Sequence, residues 1–428
     1  MSRRRRPLAH LALLAFAATA LLPGSALASP HIRFGIQDDA WLQTGTLDKR
    51  LAVVDKLGPD VVRYTLRWDR IAMKKPARAA NPNDKAYDWR IADGVLKGLR
   101  AHHVQVLVTL FGAPKWANRR HAPNFAPVSK WTLALFAVAA SKRYPFVKMW
   151  EVWNEPNLRT FLRPNSPRIY VSKLLNPTVA ALHAEHRRLH VAGGATSPRR
   201  TPTGMAPIAF MRGMRAAHAR LDAYSHHPYP TSRFETPTKA NCRYCKGILT
   251  MARLPDLLRE VRRDFGRKRI WLTEYGYQTN PPDRRLGVST ARQAAYLTQA
   301  AWIAYKAPYV DILIHFLIRD ERSLGRWQSG LFTLGGSAKP SFRAFAIPLA
   351  QLARRGSRAV LWGQVRPRLG RQRYTLQRAV RGRWHAVGHT RWTSPWGYFT
   401  RTVNAPRGTR FRVVSIPDRA HSVTMTVH

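Results

Sequence analysis

Between residues 31 and 354, short β-branched runs alternate eight times with longer segments of helical periodicity, and this rhythm constrains the fold more than any other feature. The strand candidates are His31–Gln37, Asp60–Tyr64, Val104–Leu110, Val147–Trp153, Leu189–Gly193, Leu221–His226, Arg269–Glu274 and Val310–Phe316. Runs such as Val104–Leu110 are apolar on both faces, which suits a parallel sheet covered by helices. Trp131, Leu135 and Val138 recur at helical spacing ahead of Pro145. Ala294, Leu297, Ala301 and Ala304 do so behind a Thr290…Gln293 capping box, with Pro308 as the stop. Eight strand–helix units of this length predict an α/β fold, a (β/α)8 TIM barrel. A doubly wound open sheet is the competitor, but no glycine-rich dinucleotide fingerprint follows the first strand.

From Arg358 the pattern changes. Short strand candidates come at close spacing, punctuated by Gly370, Gly382, Gly397 and Gly408, and predict a small all-β sandwich over 358–428. That segment holds 14 Arg, no Lys and one acid, Asp418. The barrel is expected over 29–354, behind a leader at 1–28. Arg3 to Arg6 form a basic start, Leu11 to Leu22 is apolar but too short to span a bilayer, and Ala26-Leu27-Ala28 offers a small-residue cleavage site. The expectation is a cleavable signal peptide, Ser29 as the mature N-terminus, and an extracellular or cell-wall associated protein. An uncleaved anchor is the alternative. No later run is long enough to span a membrane.

Composition narrows the function classes. The 45% hydrophobic content excludes intrinsic disorder, and two cysteines exclude a disulfide-stapled miniprotein and a zinc ribbon. Lys+Arg number 72 against 23 Asp+Glu, a net charge of +49 that attracts an anionic cell-wall polymer or acidic glycan. An excess of 56 Arg over 16 Lys is also what a GC-rich genome produces. No nucleic-acid motif accompanies the charge, and no His/Asp/Glu spacing demands a metal. The oligomeric state stays open.

Two segments carry chemistry. Trp150-Glu151-Val152-Trp153-Asn154-Glu155-Pro156-Asn157 closes the fourth strand and Ile270-Trp271-Leu272-Thr273-Glu274-Tyr275-Gly276 the seventh. A barrel presents such strand ends at its C-terminal rim, so Glu155 and Glu274 face each other across the mouth. Two opposed carboxylates are what glycosidic-bond cleavage requires: one protonated to release the leaving oxygen, the other ionised to attack the anomeric carbon. Glu151, deeper in the strand, reads as a structural acceptor, Asp38 and Asp39 as a solvated turn with the lining of the cleft as the alternative, and His226 as a satisfied supporting histidine.

The Asn154-Glu155-Pro156 segment with Glu274 resembles clan A retaining glycoside hydrolases, most nearly families 39 and 5, over residues 31 to 354. The resemblance implies Glu155 as acid/base and Glu274 as nucleophile, with no cofactor. It further implies Asn154 on the sugar 2-hydroxyl, Arg63 and Tyr229 supporting the nucleophile, His227 beside them, and Trp116 of the Pro114-Lys115-Trp116 segment as a stacking wall. Hydrogen bonds from Arg63 and Tyr229 would favour the ionised form of Glu274, while Glu155 needs a setting that keeps its proton. The eighth strand departs from the pattern, having no terminal tryptophan; Phe316 or Trp327 could substitute. The substrate implied is an oligo- or polysaccharide, with a transglycosylase or an inactive glycan-binding barrel as alternatives. Cys242 and Cys245 read as a local disulfide in an exported protein. The C-terminal segment resembles immunoglobulin-like modules appended to exported bacterial enzymes.

Overall fold

A computed structural model describes residues 29, 31–241, 247–366, 370–416 and 418–428. The expected leader and both cysteines, Cys242 and Cys245, lie outside the described residues. Among the described residues no helix is long and apolar enough to cross a membrane.

Eight parallel strands close into a barrel in sequence order, the eighth pairing back to the first. They are β1 (Arg33–Gln37), β2 (Val61–Arg67), β3 (Gln105–Phe111), β4 (Met149–Val152), β5 (His190–Thr196), β6 (Ala223–His226), β7 (Arg269–Tyr275) and β8 (Val310–Phe316). Side chains alternate across each strand, so one parity points into the barrel. Val61, Leu107, Met149, Ala192, Ala223, Trp271 and Ile312, one from each of β2 to β8, pack as an apolar plug with Ile314. On β1 the plug position is Gly35, where a Cβ would lie 2.6 Å from the Val61 carbonyl oxygen. The glycine lets β1 close onto β2.

The opposite parity faces the helices. Val62, Tyr64, Val106, Val108 and Trp150 join one large core with their inner faces. Helix Thr290–Lys306 buries Ala294, Leu297, Ala301 and Ala304 as the periodicity anticipates. Its cap, however, is Ser289, which accepts from the Arg292 N–H, while Gln293 is buried and donates to the carbonyls of Tyr277 and Ser329. Helix Trp131–Arg143 shows a larger difference. Trp131 and Leu135 are exposed, and Val138 is buried together with Leu133, Phe136, Ala137 and Ala140. The helix is apolar nearly all round, so periodicity alone could not select its inner face.

The C-terminal module is a pair of antiparallel sheets. One has the order β14-β10-β9 and the other β12-β11-β15-β16, with β13 also on β11. The strands are β9 (Leu349–Arg355), β10 (Arg358–Gln364), β11 (Arg373–Val380), β12 (Arg383–Ala386), β13 (Arg391–Trp392), β14 (Tyr398–Asn404), β15 (Arg410–Ser415) and β16 (Met425–Thr426). The sandwich thus takes its first strand from residues ahead of Arg358, because β9 pairs along β10. Tyr374, Leu376, Phe399, Phe411 and Val413 form its core. The module is fastened to the barrel: Trp362 packs on Trp302 and Tyr305, and the Tyr398 hydroxyl donates to the Ile32 carbonyl at 3.0 Å.

Candidate active site

The inward parity that makes the apolar plug changes character toward the C-terminal rim. One step above Val61, Leu107 and Met149 come Arg63, Thr109 and Glu151, all fully buried. Arg63 Nε donates to Glu151 Oε2 at 2.8 Å, and Thr109 Oγ1 donates to the same oxygen at 2.7 Å. Burial pushes the Glu151 carboxyl up, but the Arg63 charge, together with His227 and the Thr109 hydrogen bond, outweighs it and holds the group below the ordinary glutamate range. Glu151 is therefore an ionised anchor for Arg63, as the sequence reading expects.

Arg63 then distributes its remaining donors over the rim. Nη1 donates to Glu274 Oε1 at 2.6 Å and to Gln37 Oε1, and Nη2 donates to Asn154 Oδ1 at 2.8 Å. One planar guanidinium thereby sets the positions of Glu274, Asn154 and Gln37, a fixed-fork geometry that lysine could not reproduce. On its other oxygen, Glu274 accepts the Tyr229 hydroxyl at 3.0 Å. Burial, and then the nearby carboxylates, push the Tyr229 phenol well above its ordinary range, so it stays a donor.

Glu155 and Glu274 reach the cleft by backbone irregularities. Trp153 and Glu155 have φ of 74° and 38°, left-handed values that are costly for residues with side chains and cluster at functional sites. The turn is held by hydrogen bonds from Trp153 N–H to the Leu110 carbonyl and from Glu155 N–H to the Ala195 carbonyl, each 2.9 Å. Glu274 shares the parity of Leu272, which packs outward, but the β7/β8 register shifts between Leu272 and Tyr275. Such an irregularity re-aims a side chain, and here the carboxylate turns into the mouth.

His227 joins the two acids. Its Nδ1 lies 2.9 Å from Glu155 Oε1 and 3.6 Å from Glu274 Oε2. Burial disfavours the imidazolium, yet the two carboxylates prevail and its pKa is raised. The Glu155 side chain is only 12% exposed. Burial raises its pKa despite the His227 donor, which shifts the carboxyl toward its protonated form. One ligating atom from each of Glu155, His227 and Glu274 lies within 4.8 Å of the others. These donor types could also hold a divalent cation, but the Arg63 guanidinium already places a positive charge against Glu274.

The cleft above these groups has a volume of about 470 Å³ and is walled by Phe111, Phe161, Phe316 and Trp327. Phe316 and Trp327 meet edge to face with centroids 5.8 Å apart, and Trp327 lies against Tyr229 at 4.4 Å. The structure thus brings together Arg63, Asn154, Glu155, His227, Tyr229, Glu274, Phe316 and Trp327. Trp116 does not join them. Its indole N–H donates to the Ala72 carbonyl at 2.7 Å and its ring packs edge-on against buried Trp68. Asp38 is no solvated turn either: it is buried, caps helix Asp39–Gln43, and accepts from the backbone N–H groups of Ile318 and Arg319. Burial pushes its pKa up to about 6. His226 is satisfied by Thr196 and the Leu249 carbonyl, and burial pushes it down to about 3, so it stays neutral. Asp39 lines the cleft, the alternative to a solvated turn that the sequence allowed it, whereas sequence reasoning missed Gln37 and Phe111. Their signal was the inward parity of polar or aromatic residues at or beside strand ends.

A scan with protein-family models finds no match, and neither does a search of curated proteins. Solved structures do match. A family 39 glycoside hydrolase from the gut symbiont Bacteroides cellulosilyticus WH2 superposes with TM-score 0.57 at 16% identity, over 89% of this chain and 80% of that one. A glucosidase from Croceicoccus marinus gives TM-score 0.56 at 14% identity, over 86% and 92%. The catalytic domain of GH30 xylanase C from Talaromyces cellulolyticus gives 0.51 at 13%, over 94% and 98%. At these identities the likeness is one of fold. The fold is the one shared with those solved glycoside hydrolases, of families 39 and 30 among them.

Proposed function

We propose that this protein is a retaining glycoside hydrolase that cleaves O-glycosidic bonds of an oligo- or polysaccharide by double displacement. The observation that carries the reading is the carboxylate pair, with oxygens of Glu155 and Glu274 within 4.8 Å. Retaining enzymes hold their two carboxyl groups about 5–5.5 Å apart, whereas inverting ones need about 6.5–9.5 Å to admit a water. The family 39 neighbour supports the same chemistry.

Each side chain has a role that follows from its contacts. Ionised Glu274, oriented by Arg63 and Tyr229, attacks the anomeric carbon as the bond to the leaving oxygen breaks. Glu155 gives that oxygen its proton. The new ester removes the charge on Glu274, and with it one of the influences that oppose ionising Glu155. Glu155 then takes a proton from water as the water oxygen attacks the anomeric carbon and frees Glu274. Asn154 commits its Oδ1 to Arg63, which leaves its amide N–H groups for the 2-hydroxyl. Phe316 and Trp327 supply apolar faces for the sugar ring. By the leader pattern, the enzyme is exported and begins at Ser29.

A 2-deoxy-2-fluoro glycoside with a good leaving group, chosen after a polysaccharide screen for reducing-end release, tests this. The expected result is a stoichiometric mass increase on the peptide carrying Glu274, absent in Glu274→Gln. Inverted product by proton NMR, or label on another residue, would refute it.

A further inference from the structure

The geometry of the C-terminal module points to a second binding surface: we propose that the outer face of its β11–β12–β13–β15 sheet holds a carboxylated polysaccharide chain. This extends the glycosidase reading and rests on it for the choice of a glycan as occupant.

The register decides which side chains share that face. Along β11, Tyr374 and Leu376 point into the module's core, so Arg373, Thr375, Gln377 and Ala379 point out. Directly opposed residues in an antiparallel pair share a face. Trp392 opposes Arg373, Arg412 opposes Gln377, and Trp384 opposes Ala379. Two tryptophans therefore stand on one surface at the two ends of β11, roughly 20 Å apart at about 3.3 Å per residue.

Each ring carries arginine. The guanidinium carbons of Arg371 and Arg373 lie 5.7 and 5.9 Å from the Trp392 ring centroid, and that of Arg412 lies 4.5 Å from Trp384. Among the described residues, these three arginines form no ion pair. Between the rings lie hydrogen-bonding groups: Thr375 with Thr390 at 3.0 Å, and Gln377 accepting from Arg412 Nε at 2.7 Å. Trp392 is 57% exposed on a two-residue strand.

This arrangement fits one ligand chemistry. Flat indole faces suit the C–H faces of pyranose rings, the threonine and glutamine groups suit hydroxyls, and guanidinium groups that form no ion pair among the described residues suit carboxylates. With 14 Arg and one acid across 358–428, the complementary polymer is an anion. Such a surface would keep the barrel on a uronate-containing polymer between cleavage events.

The test uses the full chain carrying Glu274→Gln, which binds without turnover, so polymer binding is read whether or not the barrel hydrolyses. Polygalacturonate is the probe, dextran the neutral control and a thymidine oligonucleotide the competing polyanion, compared by affinity electrophoresis and calorimetry at physiological salt. Polygalacturonate is expected to bind, and Trp384→Ala/Trp392→Ala to weaken it by about tenfold or more. Arg373→Gln should weaken it less, by an amount that shrinks as salt rises. Unchanged affinity in a double variant with an unchanged thermal melt overturns the proposal. Equal oligonucleotide binding lost through the same substitutions also overturns it, in favour of a nucleic-acid face. Should the double variant melt early, Trp392→Ala and Arg373→Gln decide alone, and affinity unchanged in both refutes the site.

Discussion

Replacing His227 by asparagine isolates what sets the proton on Glu155. The asparagine amide nitrogen overlays Nδ1, so the 2.9 Å donor to Glu155 Oε1 is kept while the imidazolium charge is lost. A hydrogen bond to a charged partner contributes about 1.5–3 kcal/mol and a neutral one about 0.5–1.5 kcal/mol, a difference of about 1–1.5 kcal/mol. At about 1.36 kcal/mol per pH unit, that is about one unit. The sign follows from the site: His227 favours the ionised form of Glu155 against burial, so removing its charge raises the Glu155 pKa further. Protonated Glu155 is the acid of the first step. The alkaline limb of kcat/KM should therefore move up by about one pH unit in His227→Asn. The assay is a pH profile on an aryl glycoside with a poor leaving group, which needs that acid, beside a dinitrophenyl glycoside, which does not. The limb should weaken or vanish with the second substrate in both proteins. An unmoved limb, or one displaced to lower pH, would show that a group other than Glu155 controls protonation and would refute the argument.

Two further expectations concern the walls of the cleft. Lys339 and Asp320 form a fully buried pair at 2.7 Å beneath the loop that carries Trp327, with Thr279 Oγ1 and the Gln328 carbonyl also accepting from the lysine. Lys339→Met strands the carboxylate and should cost about 3–5 kcal/mol of unfolding free energy in urea titrations, whereas Lys339→Met/Asp320→Leu should recover most of it; a loss below about 1 kcal/mol in the single variant contradicts this. Trp327→Ala should raise KM by about tenfold through lost ring contact, while Trp116→Phe, outside the cleft, should leave kcat/KM within about twofold. The reverse ranking would mean that sugar binds elsewhere.

Much of this molecule is written locally in its sequence. Strand–helix alternation declares a barrel because each covered parallel strand must be apolar on both faces, and Val62, Val106 and Val108 are buried as that rule requires. The position of Glu151 deeper in its strand marks it as a structural acceptor, the family resemblance brings in Arg63, and the motif around Glu155 and the strand-end position of Glu274 place both acids at one rim. What periodicity could not show depends on where backbones deviate from it. Glu274 has the wrong parity for the mouth and enters it through a register shift, and Glu155 does so through left-handed turns. Neither leaves a mark in the spacing of residues.

Partner choice across the chain was likewise beyond the sequence. Asp38 became a buried clasp on Ile318 and Arg319 because the barrel closes β1 against β8, and Trp116 was drawn below the rim by Trp68 and the Ala72 carbonyl. The strand Leu349–Arg355 edges the sandwich, where it pairs antiparallel along β10. Residue type and period determined which side chains could do chemistry and which way each strand faces. Closure of the barrel alone decided which of them meet, because a contact between residues far apart in the chain is a property of packing, and no local pattern encodes it.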